Sequence, residues 1–256
     1  MVADFVTRQP VLGNPPLRLA LAQMRFPRLF GLTEVDARPV QRGLAARYPQ
    51  PSVGRTAEVI LTPAGVTSGG ETEPVFQFRS EDQAWTVTLT PASISLETTS
   101  YADFSDFIVR WDELLTLISG GLGIDRQDRV GLRYINELPC RSNPEPAEIK
   151  SLVRDELIGV VGAHARTQQL LSSMHEQRFA QDQGVCTFRY GLVAKAPDEM
   201  IYVLDMDFYD DRSTSFDREV QMRQLADFNR GAFELFQWSV SPELFATFDP
   251  QEPSDD

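Results

Sequence analysis

The chain has 256 residues, 42% hydrophobic and 24% charged, with a formal charge of −13; that length suits one large domain or two closely packed halves. The acidity disfavours nucleic acid, whose phosphate backbone needs a cationic footprint, and permits a basic protein partner. Two cysteines without a CxxC, no signal-like start and no apolar run near the roughly 20 residues that span a bilayer point to a cytoplasmic protein with reduced thiols and no membrane partner.

Residues 1–13 read as a loose lead-in. In "NPPLRLALAQMRF", Pro15 and Pro16 stop any helix, and Leu17, Leu19 and Leu21 alternate as in a strand. A helix is predicted over Glu34–Tyr48 with Thr33 as N-cap, ended by Pro49 and Pro51. Strands are predicted at Ala57–Leu61, Val75–Arg79, Trp85–Thr90 and Ser93–Glu97, with "SEDQ" as a hairpin turn. Trp85, Val87 and Leu89 share one face and Thr86, Thr88 and Thr90 the other, the pattern of a half-buried antiparallel strand. Phe104, Phe107, Ile108, Trp111, Leu114, Leu115 and Ile118 then make a helical stripe, which Gly120 and Gly121 close. The "GGLG" here ends a helix, whereas a dinucleotide loop follows a strand and opens one.

The pattern then restarts. "RVGLRYINELP" reads as a strand ended by Pro139, and "PEPAEIKSLVRDELIG" as a helix. Strands follow over about Gln168–Phe179, Val185–Ala194 and Ile201–Tyr209, with "KAPDE" as a turn. A final helix covers about Phe216–Trp238, with Leu225, Phe228, Ala232, Leu235 and Phe236 on its apolar stripe. The acidic "DPQEPSDD" ends the chain and is expected to fray.

The expected fold is α+β, in two similar halves, 14–123 and 129–248, joined as one compact unit. Each half runs strand, helix, antiparallel strands, long helix. That order resembles TATA-binding-protein-like folds and is similar to helix-grip folds, an analogy that carries no function with it.

Candidate chemistry centres on "YVLDMDFYDD". Tyr202, Leu204, Met206 and Phe208 form an apolar face of the predicted strand, which leaves Asp205 and Asp207 on the solvent side with Val203 and Tyr209. Asp210 and Asp211 suit a turn. No phosphate-gripping loop or lysine accompanies them, so no metal or cofactor is assigned. His164 and His175 stand without a nucleophile motif, and no catalytic residue is assigned. In "GLRYINELP", Val130, Leu132, Tyr134 and Asn136 share one face, and Arg133 lies opposite with Ile135 and Glu137. A strand apolar on both sides is central. Arg133 then needs a carboxylate, which Asp205 or Asp207 supplies if the two strands are neighbours, and Asn136 needs hydrogen bonds. Arg133, Asn136, Asp205 and Asp207 are thus the candidate polar cluster.

Read together, "NPPLRLALAQMRF", "GLRYINELP", "LDMDFY" and "AFELFQWSVSPELFATF" resemble a sporadically distributed bacterial family of uncharacterised proteins of about this length. The family pattern has a further basic residue after the Asn, where Glu137 stands here. The resemblance implies a shared fold, a bacterial cytoplasmic setting and a place among accessory or mobile-element-linked genes. It carries no activity. The functional expectation is a non-catalytic protein-binding or assembly module, such as an antitoxin-, immunity- or chaperone-like accessory protein. The alternatives are a metal-dependent hydrolase or nuclease using Asp205 and Asp207, and a small-molecule binder with an apolar pocket under a long helix.

Overall fold

The computed structural model describes residues 9–55, 59–62, 65–68, 72–141, 144–159, 170–196 and 199–251. His164, and parts of two expected strands at 57–58 and 168–169, lie outside them. The first part of the chain runs β1 (Val11–Leu12), β2 (Leu17–Arg25), α1 (Glu34–Leu44), β3 (Gln50–Arg55), β4 (Val59–Thr62), β5 (Gly65–Ser68), β6 (Pro74–Arg79), β7 (Trp85–Thr90), β8 (Ser93–Thr98) and α2 (Phe104–Leu122). There follow β9 (Arg126–Gln127), β10 (Arg129–Cys140), α3 (Pro146–Leu152), α4 (Asp155–Ile158), β11 (Ser172–Gln181), β12 (Gly184–Ala196) and β13 (Glu199–Asp210). The last elements are β14 (Thr214–Ser215), α5 (Arg218–Ser239), α6 (Pro242–Thr247) and β15 (Pro250–Gln251).

Nine strands make one antiparallel sheet, in the order β11-β12-β13-β10-β2-β8-β7-β6-β3. Its two central strands are the two motif strands of the sequence, with Arg133 paired to Leu21 and Tyr134 to Ala20. α2, α4 and α5 cover one side. There Trp85 meets Phe107 of α2, the Tyr202 hydroxyl donates to the Leu157 carbonyl of α4, and Phe208 meets Phe228 of α5. The core lies between these helices and the inward residues of the strands, among them Met24, Leu89, Leu96, Leu132, Leu204 and Met206, all fully buried. Several polar groups within this layer are paired. Trp111 Nε1 donates to Gln221 Oε1 at 3.1 Å, and Gln221 Nε2 donates to Gln127 Oε1 at 2.9 Å, as a dry interior requires.

Several local expectations shift. In β2 it is Ala20, Ala22 and Met24 that enter the core, while Leu19 and Leu21 are half-buried on the other side. A central strand is apolar on both faces, so the bulkier set need not be the inward one. α1 stops at Leu44, short of the predicted Tyr48, with Thr33 as N-cap; Asp36 accepts from the Thr33 backbone N–H at 2.9 Å. α2 runs through Gly120 and Gly121 and is capped by Gly123, whose φ of 64° is the left-handed value that ends helices. β10 continues past Pro139 to Cys140. The single helix expected after it is two, broken at Val153, which forms a bridge to Val240. β3 was hidden by its prolines, as suits an edge strand. Among the described residues no helix is long and apolar enough to cross a membrane.

Candidate functional site

Period-two alternation sends Val130, Leu132, Tyr134, Asn136 and Leu138 of β10 toward the helices, and all five are buried. The opposite face is left without α2, α4 or α5. There β10 presents Arg129, Gly131 and Arg133; β13 presents Asp205, Asp207 and Tyr209; β12 presents Thr187 and Arg189; and β2 presents Leu21, Gln23 and Arg25. On the far side of β2, β8 and β7 present Ser93, Ser95, Glu97, Thr86, Thr88 and Thr90.

The charges on this face are paired diagonally across the ladder. In register Arg133 faces Asp207, and Asp205 faces Ile135. Arg133 nevertheless turns one step along the strand, and its Nε and Nη2 each donate to an oxygen of Asp205 at 2.7 Å. This fork-to-fork geometry is the strong form of the interaction, and it holds the Arg133 guanidinium above its ordinary pKa, with the Asp205 hydrogen bonds as the first cause. Arg189, directly opposite Asp205 on β12, approaches it at 3.7 Å and donates to Glu176 of β11 at 2.7 Å. Two guanidinium groups therefore roof one carboxylate, and Asp205 is only 5% exposed. The alternation alone left it on the wet side; the arginines remove it from water while supplying its counter-charge.

Asp207 takes its cation from further off. Arg129 Nη2 donates to both Asp207 oxygens at 3.1 Å. To do so it passes Gly131, where a Cβ would lie 3.0 Å from Arg129 Nη1 and 3.2 Å from the Phe208 carbonyl. The missing side chain at Gly131 is what lets the guanidinium lie flat. It also sits over the Tyr209 ring, 4.5 Å from the centroid. Arg178 of β11 donates to the Tyr209 hydroxyl at 2.6 Å.

These residues line an open groove of about 700 Å3, with Arg25, Arg129, Arg133, Arg178 and Arg189 among its walls. Of the expected cluster, Arg133, Asp205 and Asp207 come together here. Asn136 is on the other face of β10, buried on the helix side. Asp210 is not in a turn. It ends β13 on the helix side, accepting from Gln224 at 2.9 Å and from Arg212 at 2.7 Å, and the Arg212 hydrogen bond lowers its pKa. Sequence reasoning missed Arg25, Arg129, Arg178 and Arg189, and placed Tyr209 on the face of the aspartates without giving it a role. The available signal was parity: Arg129 has the same parity as Arg133 on one strand.

Both thiols are suppressed. Burial pushes the Cys186 thiol up to about 12, with Asp207 and Asp205 adding to it, and pushes Cys140 up to about 11. Neither is a thiolate near neutral pH. His175 stacks on Tyr190, 5.2 Å between ring centres, and Tyr190 belongs to the buried face of β12. Among the described residues no group of three or more His, Cys, Asp or Glu side chains could hold a metal ion. No protein-family model matches the chain, and no curated protein is similar to it in sequence.

Proposed function

We propose that the protein is a non-catalytic protein-binding or assembly module that engages its partner through the open face of the sheet. One observation carries this reading: the face bears a broad polar groove whose carboxylates already serve as counter-charges to arginines on neighbouring strands. A carboxylate gripped by a guanidinium fork is a poor general base and a poor magnesium ligand, because its oxygens are engaged. This disfavours the hydrolase alternative. The groove lies on the face away from α2 and α5, so it is not the pocket beneath a long helix that the small-molecule alternative needs.

The strand order supports reading the fold as two similar halves, 14–123 and 129–248. Outward from the central pair, each side runs first strand, last strand, next-to-last strand: β2-β8-β7 and β10-β13-β12. In each half a long helix follows the last strand. A TATA-binding-protein-like arrangement and membership of the bacterial family that the motifs resemble are part of the same proposal, as is service as an antitoxin-, immunity- or chaperone-like accessory protein.

The test is capture from a lysate of the source organism with crosslinking and mass mapping, using the full chain and a Gln23→Trp variant that fills the groove floor. Crosslinks to the open face of β2, β10, β12 and β13, lost in Gln23→Trp, are expected. Crosslinks confined to the helix side, or unchanged in the variant, would overturn the reading.

A further inference from the structure

Arg25 and Arg129 stand directly opposite one another on the two central strands. Like charges in a cross-strand pair destabilise a sheet unless an anion lies between or beside them. Arg129 has Asp207. Among the described residues Arg25 has no carboxylate partner, and neither does Arg178, whose bond goes to the neutral Tyr209 hydroxyl. Both are exposed on the rim of the groove. Ser93 lies across from Arg25 on β8, and Ser95 across from Gln23. The groove thus offers two guanidinium groups without a carboxylate partner, Arg25 on β2 and Arg178 four strands away on β11, with Arg129, stacked on an aromatic ring, between them and the β8 hydroxyls beside Arg25.

We infer that this groove receives a carboxylate-bearing segment of a partner polypeptide that runs across the strands from Arg25 to Arg178, an assignment that rests on the protein-binding reading above. The planar guanidinium fork matches a carboxylate, and the neighbouring hydroxyls suit an uncharged polar backbone. A nucleic acid fits less well. Glu176, Asp207 and Asp211 also line the groove and repel a continuous phosphate backbone, and the chain as a whole carries −13. Sequence-tolerant binding of single strands also needs free aromatic faces, yet Arg129 covers the face of Tyr209. Isolated carboxylates spaced by neutral residues avoid both penalties. The basic partner suggested by the total charge therefore gives way, at this surface, to an acidic one.

The experiment uses the full chain and fluorescence anisotropy with four probes: a capped peptide of alternating Glu and Ser, its Gln analogue, inorganic phosphate as competitor, and a single-stranded oligonucleotide of equal charge. The Glu peptide is expected to bind about tenfold or more tightly than the Gln analogue, since each lost charge-assisted bond weakens binding by that order, and to weaken as salt rises. Arg25→Ala and Arg178→Ala, both at exposed positions, should each reduce affinity about tenfold with the circular dichroism unchanged. Equal binding of the two peptides, indifference to both substitutions, complete displacement by equimolar phosphate, or preference for the oligonucleotide would each overturn the assignment. If the peptide arms fail while Gln23→Trp still abolishes capture through the open face, only the carboxylate assignment falls. If capture too ignores Gln23→Trp, the protein-binding reading falls with it.

Discussion

Arg133 holds both oxygens of Asp205 across one step of the strand register rather than straight across the ladder. The pair ties β10 to β13, and Arg189 extends the tie to β12. Removing Arg133 leaves a carboxylate that is 5% exposed with only a 3.7 Å contact to Arg189. Arg133→Ala should therefore cost about 2 kcal/mol, below the full value for a buried pair because Arg189 remains and Arg133 is partly exposed. The double variant Arg133→Met, Asp205→Leu should recover most of that loss. Urea unfolding measures both, and a single variant as stable as wild type would refute the role given to Asp205.

Gly131 is predicted to be coupled to Arg129. Gly131→Ala places a Cβ against the guanidinium and the Phe208 carbonyl, so a cost of about 1–2 kcal/mol is expected from the forced shift. In an Arg129→Ala background the guanidinium clash is gone and the cost should shrink. A double-mutant cycle with coupling indistinguishable from zero would show that the glycine serves another purpose.

The β10 and β13 patterns were legible because each strand has one mostly apolar parity, with Val130–Leu132–Tyr134 and Tyr202–Leu204–Met206–Phe208, and because interrupted alternation marks a central strand. Which carboxylate Arg133 takes was not legible. That depends on register across strands far apart in sequence, and on a rotamer that turns it from facing Asp207 to Asp205. Arg189 and Arg178 were invisible for the same reason, since only the β11-β12-β13 pairing brings Arg189 to Asp205 and Arg178 to Tyr209. The inward face of β2 was misleading to hydropathy: three leucines outrank two alanines and a methionine on any scale, yet the smaller residues fill the core side.

Asp210 gives a pH dependence of known sign. Its folded pKa lies below the ordinary 3.8, chiefly through the Arg212 hydrogen bond, so its stabilisation is fully present above the unfolded value and is lost as pH falls through the lower folded one. Asp210→Asn should lower the urea midpoint near neutral pH, and the difference from wild type should shrink as pH falls below the ordinary carboxylate value of 3.8. A difference that grows on acidification would contradict this account.

The thiols should be inert in the folded protein. With Cys140 raised to about 11 and Cys186 to about 12, iodoacetamide at neutral pH should label neither at an appreciable rate, and both should react once urea unfolds the chain. Rapid labelling of native Cys186 would mean that the helix side of β12 opens far more readily than its burial implies.

The seam between β2 and β10 also sets the order of assembly. Its two strands are separated by residues 26–128, whereas β6, β7 and β8 join through short turns. Closing a long loop costs entropy before the ladder returns anything, so the local hairpins should gain amide protection first and the centre of the sheet last. Pulse-labelled hydrogen exchange during refolding would reveal this sequence, and early protection of β2 would argue against it. Until β10 arrives, β2 has only β8 beside it and presents an open edge with apolar side chains on both faces, an association-prone surface of the nascent chain. The middle of the finished sheet is thus the point of greatest exposure during synthesis.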